Sequence, residues 1–420
     1  MIKATELDAF TMATLDPDAG LDDLEPLRQL LGDAQVVGIG ESAHNVREYQ
    51  QVRNRMTRFL VERMGFSAVA LESGFSEGLT VGRWVRGEEP GDVAEIAERG
   101  LTYGFGHTAE TRRWLGWLRD QHRRGGDVRF AGLDLPAQLG SLLPAVDGVA
   151  GYLTAVDPEA GQIIDQIRTY AGKWASPHTM PAFRAYAAAP ATDRDALTVL
   201  LAELAARVDV LRPQYARHGG AAGHTGPDRH GGGADGYATA RHELRLAVLL
   251  DQMLRAQLHA VRGSGIHTAV NVRDAAMAET ARHLLRDGRK LVISAANTHL
   301  QRIPILLGGT AEVPVMGSHL AAELADAYVC IALTCTGGRT PTRRAAPGTE
   351  TGVEVLTVDL TAPVPGSVEA FLTAPGAPRV TDLRPLRGAG GPQRYRNLDG
   401  YLDLPVADAF DLVTVLPELT

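Results

Sequence analysis

Glu41 and His44 stand three residues apart in GESAH (40–44), directly after the apolar run AQVVGIG (34–40). An imidazole beside a carboxylate can take up a proton near neutral pH, because the carboxylate selects the ring tautomer and raises its pKa. Polar residues also close other apolar runs. Glu72 ends SAVALES (67–73), Asp134 ends VRFAGLD (128–134), and Asn297 and His299 end KLVISAANTH (290–299). One acid after a strand is an ordinary helix cap. Four such ends gathered on one sheet edge would make an acid–base site. In that site His44, Glu41, Glu72 and His299 are the catalytic candidates, and Asp134 and Asn297 the substrate contacts.

Two arginines complete the set. In a helix starting near Asn45, the residues Tyr49, Arg53, Met56 and Leu60 fall on one stripe at spacings of three and four, which turns Arg53 into the buried face. A buried guanidinium calls for a carboxylate, so a hydrogen bond from Arg53 to Glu41 or Glu72 is expected. The plainer readings are a structural ion pair or a snorkelling side chain. Arg273, in VNVRDAAMAETARHLL (270–285), is a candidate clamp for an anion or oxyanion, and Asp274 reads as a first-turn acid. Metal binding is the weaker alternative for Glu41 and His44, because no second ligand follows at helical spacing. Acid–base chemistry with no metal and no cofactor is therefore expected.

The elements that must position these residues alternate along the chain. Seven apolar runs, at 34–40, 67–73, 128–134, 290–299, 327–334, 353–360 and 410–417, are separated by helical patterns. This predicts an α/β fold with a mostly parallel central sheet flanked by helices. In such sheets ligands bind beyond the carboxyl ends of the strands, where the candidate residues lie. Residues 142–265 carry Ala-, Leu- and Arg-rich helical patterns and no convincing strand. They read as a large helical insertion or lid between a first part of the core, 1–141, and a second, 266–420. Within the insertion, 216–236 is too rich in glycine to order itself and is expected to be mobile. Its histidines at 218, 224 and 230 are not read as a metal site.

A formal charge of −8 and a pI near 5.9 give no basic footprint for nucleic acid. Two cysteines in CIALTC (330–335), five apart on an apolar strand, point to opposite faces, so a reduced, cytoplasmic setting is expected. The opening residues predict no secretory leader, and no run of 18 apolar residues predicts a membrane span. Abundant Arg and Ala with lysine only at 3, 173 and 290 suggest a GC-rich, actinobacterial type of genome.

Together these stretches resemble the erythromycin esterase family. The matching motifs are GESAH (40–44), QVRNRMTRFLVERMGFSAVALES (51–73), WLGWLRD with VRFAGLD (114–134), NVRDAAMAE (271–279), AANTH (295–299) and PGSVEAFL (365–372). The resemblance implies a metal-independent esterase or lactonase acting on a polyketide- or macrolide-like natural product, with a part in antibiotic resistance. It implies His44 as the general base, with Glu41, Arg53 and Glu72 around it. One departure matters. Where the family commonly has His-Asn-x-His, this chain has Ala296, Asn297, Thr298 and His299. The alternative is therefore a non-hydrolytic tailoring enzyme (a cyclase, lyase or transferase), and a third reading is a degenerate ligand-binding protein. Substrate identity and oligomeric state do not follow from the sequence.

Overall fold

The computed structural model describes residues 2–219, 234–263, 271–307, 311–372 and 376–420. The glycine-rich segment expected to be mobile falls mostly outside them.

The apolar runs become strands because branched side chains pack on both faces of a covered sheet. In chain order the strands are β1 (Ala9–Thr11), β2 (Val36–Ile39), β3 (Ala68–Gly74), β4 (Arg129–Asp134), β5 (Leu291–Ser294), β6 (Ile305–Leu307), β7 (Ala311–Val313) and β8 (Tyr328–Cys335). They continue with β9 (Arg339–Ala345), β10 (Val353–Asp359), β11 (Arg379–Asp382), β12 (Arg394–Asn397), β13 (Gly400–Asp403) and β14 (Leu412–Leu416). Eight of them form the central sheet in the order β1-β11-β14-β8-β2-β5-β3-β4. From β14 to β4 every neighbouring pair is parallel, and β11 alone runs against the rest, pairing antiparallel with β14 on one side and with the edge strand β1 on the other.

Along β8, Val329, Ile331, Leu333 and Cys335 enter one core, whereas Tyr328, Cys330 and Ala332 enter the other. This is the two-residue period of a strand buried on both faces. Both cysteines are free and buried on opposite faces, as their spacing implied. Helices α1 (Pro26–Leu31), α2 (Arg47–Met64), α3 (Phe75–Val85), α4 (Val93–Gly100) and α5 (Ala109–Arg123) follow in the first half. Next come α6 (Leu143–Val156), α7 (Gly161–Ala171), α8 (Thr179–Ala188), α9 (Ala191–Val210), α10 (Arg212–Gly219) and α11 (Ala234–Val261), with no strand among the described residues of this stretch. They enclose their own apolar core, which also takes in Phe75 at the start of α3. Helices α12 (Val272–Leu285) and α13 (Asn297–Leu300) lead back to the sheet edge. Among the described residues no helix is long and apolar enough to cross a membrane.

Two strand expectations need correction. The run at 353–360 is not part of the central sheet. As β10 it pairs with β9 in a separate antiparallel hairpin, and most of its residues are exposed. Its alternation of Val, Leu and Thr reads the same for a free-standing hairpin as for a core strand. The run at 290–299 is strand only to Ser294, and Asn297 opens the single turn of α13.

Candidate active site

The parallel strands deliver their carboxyl ends to one edge. The chain leaves β2 through Gly40 to Glu41, β3 carries Glu72, β4 ends at Asp134, and β5 passes through Ala296 into α13 with His299. The register of β3 with β4 breaks between Leu71 and Gly74, the stretch that holds Glu72. Such an irregularity re-aims a side chain at a strand end. Gly40 is required here. A Cβ at this position would lie 1.9 Å from Oδ1 of Asn297.

His44 is held from one side. Its Nδ1 lies 2.7 Å from Glu41 Oε1, and its Nε2 lies 3.6 Å from Glu72 Oε1. His299 mirrors it, with Nδ1 2.8 Å from Asp274 Oδ1 and Nε2 3.3 Å from the same oxygen of Glu72. Two carboxylate–imidazole pairs therefore converge on one buried carboxylate. Glu72 also accepts a hydrogen bond from Arg273 Nη2 at 2.8 Å and, through Oε2, from the Ala296 amide at 2.7 Å. Arg273 is shared with Asp134, donating from Nη2 at 2.6 Å and from Nε at 3.0 Å. Tyr103 donates to the same Asp134 oxygen at 2.9 Å, and its ring stacks 6.3 Å from that of His44.

Among the described residues, Arg273 is the guanidinium bonded within the group of carboxylates Glu41, Glu72, Asp134 and Asp274, to Glu72 and Asp134, and Arg53 acts on Glu41 only at a distance. Protonated histidines supply the remaining positive charge. Burial alone would lower the pKa of His44, but Glu72 and Glu41 outweigh it and raise the value to about 9. Burial opposes protonation of His299 too, yet Glu72 and Asp274 raise its pKa to about 10. Desolvation would push the Glu72 carboxyl up, and the cations around it hold it well below the ordinary range. These are the two ways a site separates proton affinities, by burial and by neighbouring charge.

The structure brings together Glu41, His44, Glu72, Arg273 and His299, and it corrects three roles. Arg53 is buried but bonds neither Glu41 nor Glu72. It donates to Asn54 Oδ1 at 3.2 Å and Thr111 Oγ1 at 3.3 Å, and it lies 4.6 Å from the ring centre of Trp114. Its stripe on α2 was read correctly, but α5 packs over it before it reaches the sheet edge. Burial lowers its pKa to about 10, with Glu41 and Glu110 acting only at a distance. Asn297 is fully buried and turned from the cleft, bonding the backbone N–H and C=O of Leu333 and the hydroxyl of Ser42. Asp134 is likewise buried and braces Arg273. Neither is among the residues that line the cleft above the site. Tyr103 and the orienting role of Asp274 were missed, because both lie far along the chain from the groups they touch. Only the neighbouring Arg273 hinted at Asp274.

Above these residues opens a cleft of about 590 Å³, lined by His44, Glu72, Tyr103, Arg273, Ala296 and His299 at its floor and by the β9–β10 hairpin on one wall. Ala296, where the motif commonly has histidine, thus lines the cleft. An α/β sheet with an acid–base cluster at its carboxyl edge defines the class of protein. The profile of the erythromycin esterase family matches residues 61–418, and the chain belongs to that family. It is 29% identical to erythromycin esterase type II of Escherichia coli over 364 residues, covering 86% of this chain and 83% of that protein. With erythromycin esterase type I of Escherichia coli it shares 24% identity, over 93% and 92% of the two chains. Among solved structures, a mutant of the erythromycin esterase EreC in its open conformation has the same fold, with a TM-score of 0.80 at 21% identity over 99% and 98% of the chains. A succinoglycan biosynthesis protein shares the fold as well, with a TM-score of 0.72 at 19% identity over 98% and 94% of the chains. Family membership supports a hydrolase of the esterase type.

Proposed function

We propose that this chain hydrolyses an ester or lactone of a polyketide- or macrolide-like natural product without a metal ion, with His44 as the general base. The observation that carries this is the single free nitrogen of His44. Glu41 fixes Nδ1, and Nε2 faces Glu72 across 3.6 Å at the cleft floor. That gap is long for a direct hydrogen bond, and a water in the cleft beside the pair can reach both groups. Such a water gives its proton to neutral His44 while its oxygen attacks the ester carbonyl. Glu72 orients the water and stabilises the imidazolium that forms. Arg273 is committed to Glu72, Asp134 and, through Nη1, to His299 Nε2 at 3.1 Å, so it preorganises the floor and is not free to clamp an anion. His299, its Nδ1 held by Asp274 and its Nε2 shared with Glu72 at 3.3 Å, supplies the proton to the leaving alkoxide. The Ala296 amide is already taken by Glu72.

A second reading has one observation in its favour. Ala296 leaves the cleft without the histidine of the family pattern, and a base at His44 with an acid at His299 could instead move protons in a cyclisation or elimination. Turnover in heavy-oxygen water separates the two. Hydrolysis puts the label into the released acid. Product without label overturns the hydrolase reading, and Ala296→His then diverts or blocks that reaction, whereas it leaves hydrolysis unchanged or faster.

A further inference from the structure

The β9–β10 hairpin was expected to lie in the sheet, and its actual place gives it a different use. Arg339, Pro341 and Arg343 alternate on one face of β9, opposite Asp359, Thr357 and Val355 of β10. Arg339, Pro341, Arg343, Val355 and Thr357 line the cleft. Arg339 and Arg343 stand about 13 Å apart along the strand, at roughly 3.3 Å per residue. Arg47, at the start of α2, also lines the cleft.

The charge of this lining is one-sided. Glu72 is the one carboxylate side chain among the described residues that line the cleft, and Arg273, His44 and His299 already surround it. The two hairpin arginines have little of their own to hold. Arg339 meets the exposed Asp359 at 3.4 Å, and Arg47 meets Glu48 at 3.5 Å. The Arg339 pair is long and exposed at both ends, where an ion pair contributes little, whereas Glu48 is buried and holds Arg47. Arg343 is exposed and has no ion pair within the described residues. The neighbouring Arg344 turns to the other side of the strand and pairs with Asp399.

We propose that the ester taken by this site carries an anionic oxygen group, a carboxylate or a phosphate, on the part that reaches the hairpin, and that Arg343 binds it with Arg339. The proposal rests on the hydrolase reading for its reacting bond and names the substrate class of that same site. A guanidinium presents paired N–H donors matched to carboxylate and phosphate, and a rim of one sign raises the local concentration of the opposite charge. Val355, exposed beside Arg343, offers an apolar contact to the carbon skeleton bearing the anion.

The test is a series of aryl esters of equal size bearing a remote carboxylate, phosphate, neutral amide or quaternary ammonium, assayed at low and high salt. The expected result is a kcat/KM at least about tenfold higher for an anionic than for the neutral member, lower again for the cation, with the preference shrinking as salt screens it. The carboxylate and phosphate arms distinguish the two anions. Arg343→Ala combined with Arg339→Ala should remove the preference through KM, Arg343→Lys should keep part of it, and Arg344→Ala should leave it intact. Equal kcat/KM across the series overturns the proposal, as does a preference that survives the double substitution. If the wild type cleaves the neutral ester through His44 without charge preference, only this proposal falls. If no ester is cleaved, the hydrolase reading falls, and calorimetric binding of the matching non-cleavable amides still decides the charge preference.

Discussion

His44 reaches the cleft through Nε2 alone, because Glu41 occupies Nδ1 at 2.7 Å. A base with one free nitrogen and a fixed tautomer acts in the transition state more than in ground-state binding, so His44→Gln should lower kcat by about a hundredfold or more with KM little changed. Full activity in that variant would rule His44 out as the base. Glu41→Gln keeps the shape but weakens the hold on the ring, and it should reduce kcat less. Arg273 has a structural consequence of its own. Its side chain separates Glu72 and Asp134, both essentially without solvent exposure. Arg273→Met should cost roughly 3–5 kcal/mol in a denaturant melt, because two buried carboxylates lose their shared cation. A near-neutral result would show that the carboxylates take up protons at little expense.

Helix α13 and the loop after β2 are joined by Asn297, whose amide takes the place of a strand partner for Leu333 and also holds Ser42. Asn297→Ala takes the side-chain acceptor from the buried Leu333 N–H, a loss of about 1–3 kcal/mol, while the Leu333 C=O keeps the Ser42 hydroxyl at 2.7 Å. It should also lower activity, since both Ser42 and His299 are carried on the segments it ties. Unchanged stability would mean that β8 finds other partners. Helix α2 offers a contrast between two buried arginines. Arg55 is bonded to Asp23 at 2.7 Å and to the carbonyls of Thr14 and Gly20, whereas Arg53 bonds only the neutral Asn54 and Thr111 side chains, and each leaves one buried nitrogen without a partner. Arg55→Met should therefore destabilise by about 3–5 kcal/mol. Arg53→Met should lose far less, since methionine keeps the packing on Trp114. The two denaturant midpoints, measured side by side, check the ranking.

The molecule as a whole trades stability against activity as pH changes. The His44 pKa is raised from 6.5 to about 9 and the His299 pKa to about 10. A group whose pKa is raised on folding stabilises the fold fully below its unfolded value, and that contribution is lost as pH rises through the folded value. Stability should therefore decline between about pH 6.5 and 10, and the double variant His44→Gln with His299→Gln should flatten that decline. Turnover should move the other way. A base must be neutral to act, so kcat/KM should climb as pH rises toward 9. A rate that falls over that range would contradict His44 as the base and point to a reaction needing its protonated form.

The alternation of apolar runs with helical patterns determined the parallel sheet, because a strand buried on both faces needs continuous branched side chains and a helical crossover to run parallel again. The polar residue after each run marked Glu41, His44, Glu72 and His299, since the ends of parallel strands share one edge whatever lies between them. The stripe on α2 likewise showed Arg53 to be buried. What the side chains touch was decided only in three dimensions. Asn297 and His299 are two residues apart, yet one helical turn points the first into β8 and the second into the cleft. Arg53 meets Trp114 and Thr111 because α5 packs on α2, a contact between segments some sixty residues apart. Asp274 became the partner of His299, and β10 left the sheet to wall the cleft, for the same reason. Periodicity records which face of an element is covered, whereas the identity of what covers it depends on chain segments that no local pattern connects.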